Sequence, residues 1–324
     1  MKLISLILVV LSAFALVVYY RNQILPSTQD SAPLTPYLTP HFRTWLEKNG
    51  YASFGFARTD IKGGSYGGKT DDNDVIKHNP VIFIHGNGDK AIGDSTDIYK
   101  GFTNTIQYLL SKGYKESELY ATTWGPANPL LASQQYHSYV YLNYLRNFVE
   151  AVIKYTNATK VDIIAHSMGA TLGRKVIKGG TGTDGGSYNL GPSLAKYVDT
   201  FLGIAGANWG LSTCYTSAAI PTCGPVNGFF PGTAPGPVGL SKYLQSLNSD
   251  SGKEGDYVFS MLSTADEVIQ GGGLVWGKYT SKIPGENGFK MYTTLGHMQL
   301  KDDTCAEQYQ IISKHTVELN FLEK

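Results

Sequence analysis

Three side chains well separated along the chain, Ser167, Asp266 and His297, have the types and the order needed to cleave an acyl bond. A serine hydroxyl is a poor nucleophile near neutral pH. It needs a histidine to take its proton and a carboxylate to orient that ring and stabilise the imidazolium. Ser167 stands in Ala165-His166-Ser167-Met168-Gly169, between the largely apolar run Val161-Asp162-Ile163-Ile164 and a stretch in which Leu172, Val176 and Ile177 recur on one helical face. A strand that turns at once into a helix must reverse within about three residues, which drives the central residue towards positive φ. Ala165 and Gly169 relieve the crowding, and Gly173 lets the helix lie close to the sheet. Such a turn lifts the Ser167 hydroxyl into the open at the strand's C-terminal end, where the first NH groups of the helix also point. Taken alone the five-residue pattern is weak, because small residues around a surface serine also serve tight packing.

In this strand-turn-helix setting the acid and then the histidine follow the serine. Of seven histidines only His297 and His315 do so. His315 falls inside the final helical stretch, whereas His297 follows a strand in a loop. The acid must lie just past a strand, as Asp266 does after Tyr257 to Leu262. Asp199 and Asp256 begin their strands, and Asp184, Asp250, Glu254 and Glu286 fall in connecting loops. Glu267 competes directly, and the alternative role for Asp266 is a helix N-cap. The oxyanion of a tetrahedral intermediate needs NH donors, for which the backbone NH groups of Met168 and Asn87 are in place, the latter after His85-Gly86. His85 and His166 cannot meet the order and read as residues that hold loops by ring hydrogen bonds.

The elements that must position these groups alternate. Val81 to Ile84 is a strand, Tyr99 to Lys112 a helix, Leu119 to Trp124 a strand, Gln135 to Tyr155 a helix and Val161 to Ala165 a strand leading to the elbow. Val198 to Ile204, Tyr257 to Leu262 and Phe289 to Thr293 are further strands, and a closing helix from about Thr304 packs Ile311, Ile312 and Leu319. Strand-helix alternation predicts an α/β fold: a mostly parallel sheet, flanked by helices, with ligands at the strands' C-terminal ends. From His41 to Lys77 there is no strong periodicity, Gly63 to Gly68 reads as a loop, and Asp71 to Asp74 lacks calcium-loop spacing. Gly179 to Gly186 lacks a phosphate loop's lysine and reads as a flexible connection. No cofactor or metal motif is present. Asn208 to Gly239 is long and irregular, and is expected to hang over the strand ends as a lid-like wall in which Phe229 and Phe230 line the substrate. The competing expectation is that these rings form a small core around a disulfide.

The chain has 324 residues, 42% hydrophobic, enough for one α/β domain or two smaller ones. A net charge of +1 with no basic run gives no electrostatic case for nucleic acid. Leu3 to Tyr20 is almost wholly apolar, so residues 1–22 form a signal peptide or, uncleaved, an anchor; residues 23–40 read as a proline-rich linker and 41–324 as the domain. Secretion is the expected destination, with anchoring by residues 3–20 as the alternative. Cys214 and Cys223 predict a local disulfide, leaving Cys305 as a buried thiol or an inter-chain partner. Asn157-Ala158-Thr159 is a glycosylation sequon in the turn before the serine's strand.

Together Val81 to Gly86, Glu118 to Thr123, Val161 to Gly169, Asp199-Thr200-Phe201, Ala205 to Asn208, Ser263 to Asp266 and Gly296-His297 resemble the lipase class 2 family of α/β-hydrolases. More distantly they resemble small bacterial lipases with an Ala-His-Ser-Met-Gly elbow. The likeness covers about Pro80 to Leu300. It implies the α/β-hydrolase fold, a secreted esterase or lipase without cofactor, an acyl ester or lipid substrate, including one at a lipid interface, and Ser167, Asp266 and His297 as the triad. Acyl transfer or amide hydrolysis would use the same residues, and a non-catalytic binding protein on this fold is the alternative from another class. The segments before Pro80 and from Asn208 to Gly239 depart from the compact bacterial pattern.

Overall fold

The computed structural model describes residues 33–94, 96–234 and 238–317. The N-terminal apolar run, most of the proline-rich segment and Leu319 lie outside them. Among the described residues eight strands form one sheet: β1 (Tyr37–Leu38), β2 (Ser65–Gly67), β3 (Val81–Ile84), β4 (Leu119–Thr122), β5 (Val161–His166), β6 (Val198–Ile204), β7 (Tyr257–Ser263) and β8 (Gly288–Tyr292). Their spatial order is β1-β2-β4-β3-β5-β6-β7-β8. β2 pairs antiparallel with β4 and parallel with β1, and every other pairing is parallel. This is the mostly parallel α/β-hydrolase arrangement.

A parallel sheet covered on both faces needs strands that are apolar on both sides. β3 meets this with four buried residues in a row, Ile82 and Ile84 joining the core on one face and Val81 and Phe83 that on the other. The first face is covered by α1 (Pro40–Lys48), α3 (Tyr139–Thr156), α4 (Met168–Lys178) and α5 (Lys242–Ser249), the second by α2 (Thr103–Ser111) and α7 (Cys305–Lys314). A six-residue helix, α6 (His297–Asp302), precedes α7.

Several expectations are corrected. The stretch without periodicity holds α1, which starts where Thr39 Oγ1 accepts from Phe42 N (3.2 Å) and buries only Phe42 and Leu46. Tyr37–Leu38, inside the stretch 23–40 read as linker, belongs to the sheet. Part of the expected Gly63 to Gly68 loop is β2: at Gly67, φ is +108°, and a Cβ would stand 1.8 Å from Leu119 O, so glycine serves close approach there. Gly179 to Gly186 is not a free connection. Thr181–Thr183 pairs with Ser187–Asn189 as a hairpin, and its Asp184 Oδ2 accepts from Tyr139 N (2.8 Å) at the start of α3. α3 therefore begins at Tyr139, not Gln135, behind a short 3-10 turn at Pro129–Gln134. α2 begins at Thr103, because Gly101 (φ +57°) bridges back to Ile92.

The segment from Asn208 to Gly239 is stapled by Cys214–Cys223. It is also pinned to its surroundings: Thr222 Oγ1 donates to Ala132 O (2.6 Å) and Trp276 Nε1 to Pro231 O (2.9 Å). Cys305 is free and buried, and burial pushes its thiol up to about 11. Asn157 sits exposed in a left-handed turn (φ 51°) that ends α3, just before β5.

Candidate active site

Ser167 occupies the turn between β5 and α4 with φ 55° and ψ −128°. A non-glycine residue held in so sparsely populated a region costs about 1–3 kcal/mol, sustained only because the surroundings over-determine it. Here they do. Ser167 N donates to Ile204 O on the neighbouring β6 (2.8 Å). A Cβ on Gly169 would meet His85 O at 2.3 Å and Ile84 O at 2.4 Å, so only glycine lets α4 start this close to β3. Gly173 has less need to be glycine, its Cβ position lying 3.1 Å from Ile84 Cδ1. The serine itself is half-buried and faces solvent in part, unlike the buried strand beneath it.

His297 is placed at the first position of α6, not in the expected open loop. Its ring is buried, and Nδ1–H donates to Asp266 Oδ2 at 2.7 Å. That bond puts the proton on Nδ1 and leaves Nε2 as the basic nitrogen. Asp266 has a separate oxygen for each of the two contacts that the sequence set against each other: its Oδ1 accepts from Val268 N (2.9 Å) and Ile269 N (2.8 Å), capping the turn after β7, while Oδ2 accepts from the imidazole. Glu267 does not compete for the ring. Its Oε2 accepts from the backbone NH of His297 (2.9 Å), and the space it fills is open because residue 296 is glycine, whose Cβ would lie 2.7 Å from Oε2. Asp199 is engaged at the N-terminal end of β6 with His315 Nε2 (2.9 Å), and His315 closes α7 at φ 55° instead of lying within it.

The two flanking histidines, His85 just after β3 and His166 at the end of β5, are neutral spacers. His85 Nδ1–H donates to Gly86 O (2.7 Å), and its Nε2 accepts from Trp124 N (3.1 Å). Burial pulls its pKa down to about 4. His166 donates from Nε2 to His297 O (3.2 Å) with ring centroids 4.7 Å apart, which brings α6 against the serine's turn. Burial and the nearby His297 hold its pKa well below the ordinary histidine value.

Met168 is the first residue of α4, so its NH has no intrahelical acceptor. Asn87 follows β3 across from it: a Cβ on the preceding Gly86 would lie 2.9 Å from Ser167 Cβ. Asn87 Nδ2 donates to Ala132 O (2.9 Å), tying this loop to the turn at Pro129–Gln134. Of the two expected substrate-wall residues, Phe229 is buried edge-on against His137 (centroids 4.7 Å) in the main core, not in a small separate core around the disulfide, and Phe230 is half-buried. His137, which sequence reasoning passed over, joins Asn227 O (2.7 Å) to Thr171 Oγ1 (2.7 Å) and so seats this segment on α4.

For His297 the largest single effect is burial, which lowers the pKa, but the charge and hydrogen bond of Asp266 outweigh it and the value is raised. The charged pair therefore stabilises the fold below the unfolded value of 6.5, a contribution lost as pH rises through the folded pKa. Activity that needs a neutral base runs the other way. We expect the acidic limb of kcat/KM for a soluble p-nitrophenyl ester to have its midpoint above pH 6.5. A midpoint at or below that value would show that this ring is not the titrating base.

Residues 78–310 match the lipase (class 2) family. Several solved structures are similar to the chain at low sequence identity. One is lipase B of Aspergillus fumigatus, with 15% identity and a TM-score of 0.45, covering 83% of this chain and 55% of that one. This chain thus spans about 55% of that lipase's length. A second is the Paleococcus ferrophilus monoacylglycerol lipase, with 12% identity and a TM-score of 0.46, covering 74% of this chain and 97% of that one. The mature form of Bacillus licheniformis lipase BlEst2 has 11% identity and a TM-score of 0.44, covering 77% and 98%.

Proposed function

The chain belongs to the class 2 lipase family, and on that premise we propose that it is a secreted carboxylic ester hydrolase acting on acyl esters, lipids among them, through an acyl-enzyme on Ser167. The observation that carries the reading is the Asp266–His297 hydrogen bond of 2.7 Å, with the His297 carbonyl held by His166, the neighbour of a serine kept at φ 55°. In this mechanism Ser167 Oγ attacks the ester carbonyl carbon while His297 Nε2 takes its proton, and the NH groups of Asn87 and Met168 stabilise the oxyanion. The imidazolium then protonates the leaving alcohol as the carbonyl re-forms. Water, deprotonated by the same nitrogen, then attacks the acyl carbon, and as the bond to Ser167 Oγ breaks the imidazolium returns a proton to that oxygen and the carboxylic acid leaves.

An apolar substrate is supported by the loop beside Asn87, where Pro129 packs on Gly88 and the next residue, Leu130, is 85% exposed. Secretion is supported by the Cys214–Cys223 disulfide, and an exposed Asn157 is open to glycosylation. A fluorophosphonate probe should label wild type at Ser167 and leave Ser167→Ala unlabelled, and a panel of p-nitrophenyl esters and a triglyceride emulsion should show turnover. A folded wild type that neither labels nor hydrolyses any of these would leave the binding-protein alternative.

A further inference from the structure

The helix that carries His297 has only six residues, too few to hold its own direction in water. Its tertiary ties therefore decide where the ring points. Glu267 and His166 act on the backbone of His297 itself. A third tie acts one turn further on. Lys301, four residues after His297 and on the same helical face, is completely buried. Its Nζ donates to the carbonyl of Gly101 and lies 2.8 Å from Asp302 Oδ1 and 3.4 Å from Asp89 Oδ2. Asp89 Oδ1 accepts from Lys90 N (2.8 Å) and Gly101 N (3.0 Å). The NH of Asp89 donates to Gly86 O (3.2 Å), closing the turn that contains Asn87.

A buried ammonium is costly to desolvate, and an apolar pair of similar volume commonly serves stability as well or better. Stability is thus a weak account of Lys301. We propose that Lys301 is a positioning residue, whose buried ion pair with Asp89 locks the helix presenting His297 to the loop presenting the Asn87 NH. The proposal rests on the ester-hydrolase reading of that site. Proton transfer and oxyanion stabilisation occur in one transition state, so slippage between helix and loop misplaces both at once. Lys301 faces the carboxylates of Asp89 and Asp302, with Asp266 and Glu267 beyond the His297 ring and the neutral rings of His85 and His166 beside it. Lys100 adds positive charge on the Asp302 side. Because the Lys301 cation opposes the upward pull of Asp266 on His297, removing it should also raise the ring's pKa.

The test is the double variant Asp89→Asn with Lys301→Met, which removes both charges yet leaves Oδ1 to accept from Lys90 and Gly101. Lys301→Met alone would strand the Asp89 carboxylate, whose side chain is 2% exposed, whereas Asp302 reaches solvent (11% exposed) and keeps Lys100 nearby. For the double variant we expect a melting temperature close to wild type and kcat for p-nitrophenyl butyrate lower by about 10- to 100-fold, with KM changed less than about threefold. The His297 midpoint, followed by NMR of histidine-labelled protein, should move to higher pH. As a control, Lys178→Met removes another buried cation, 3.7 Å from Glu254 at the far end of α4. It should lower the melting temperature without changing kcat or the His297 midpoint. A folded double variant with wild-type kcat and midpoint overturns the proposal. So does one that does not fold, since the pair would then be structural. The NMR midpoint needs no turnover, so a wild type inactive on esters would refute the functional reading and leave this measurement interpretable.

Discussion

Ser167→Ala and His297→Ala should each lower kcat by on the order of 10⁶, and the double variant should be little worse than either, because residues that act as one unit are strongly non-additive. The structure makes Ser167→Ala a clean test of chemistry. The Ser167 side chain caps nothing in α4, and what holds the turn is the backbone bond to Ile204 O and the close approach at Gly169. Serine and alanine both carry a Cβ and meet the same strain at φ 55°, so the melting temperature should move by no more than about a few degrees. The measurement is kcat on a p-nitrophenyl ester, normalised by active-site titration of wild type. Activity within tenfold of wild type in either single variant would remove that residue from the mechanism.

Asp266→Asn should lower kcat by about 10⁴, because an amide can no longer stabilise the imidazolium or enforce the Nδ1–H tautomer. The two oxygens of Asp266 allow charge to be separated from capping. Asparagine keeps an oxygen for Val268 N and Ile269 N, so its fold should hold, whereas Asp266→Ala loses the cap as well and should destabilise by about 0.5–2 kcal/mol more. Glu267→Gln retains an acceptor for the His297 NH and should stay within about tenfold of wild type, since an uncharged acceptor weakens that bond by only about 1 kcal/mol. If Glu267→Gln costs as much as Asp266→Asn, the assignment of the acid is wrong.

How much was legible followed from burial. β3 is a continuous apolar run and β5 is one interrupted only by Asp162 and His166, because the sheet is covered on both faces, and such runs announce themselves in sequence. The serine turn was legible for a related reason, since its geometry restricts the residues at 165, 167 and 169. The sheet's first edge was not, because β1 and β2 contribute two and three residues and α1 buries only Phe42 and Leu46. α6 was missed since six residues hold less than two full turns of periodicity. Lys301 and Asp89 were invisible for the opposite reason: a charged residue in a sequence normally means a solvated surface, and only the folded chain shows these two facing each other in the interior.

Asn157 and Ser167 stand at opposite ends of β5, a six-residue strand roughly 20 Å long. With Ser167 as the proposed nucleophile, the chain has a front, where substrate would arrive, and a back, where an exposed side chain in a tight turn can carry bulk. Anything coupled at Asn157, whether a sugar tree, a polymer or a bead, would trail behind the molecule and leave the front free to meet a flat surface. Immobilisation through residue 157 should thus preserve turnover, while the same attachment at Leu130 should shield the entrance.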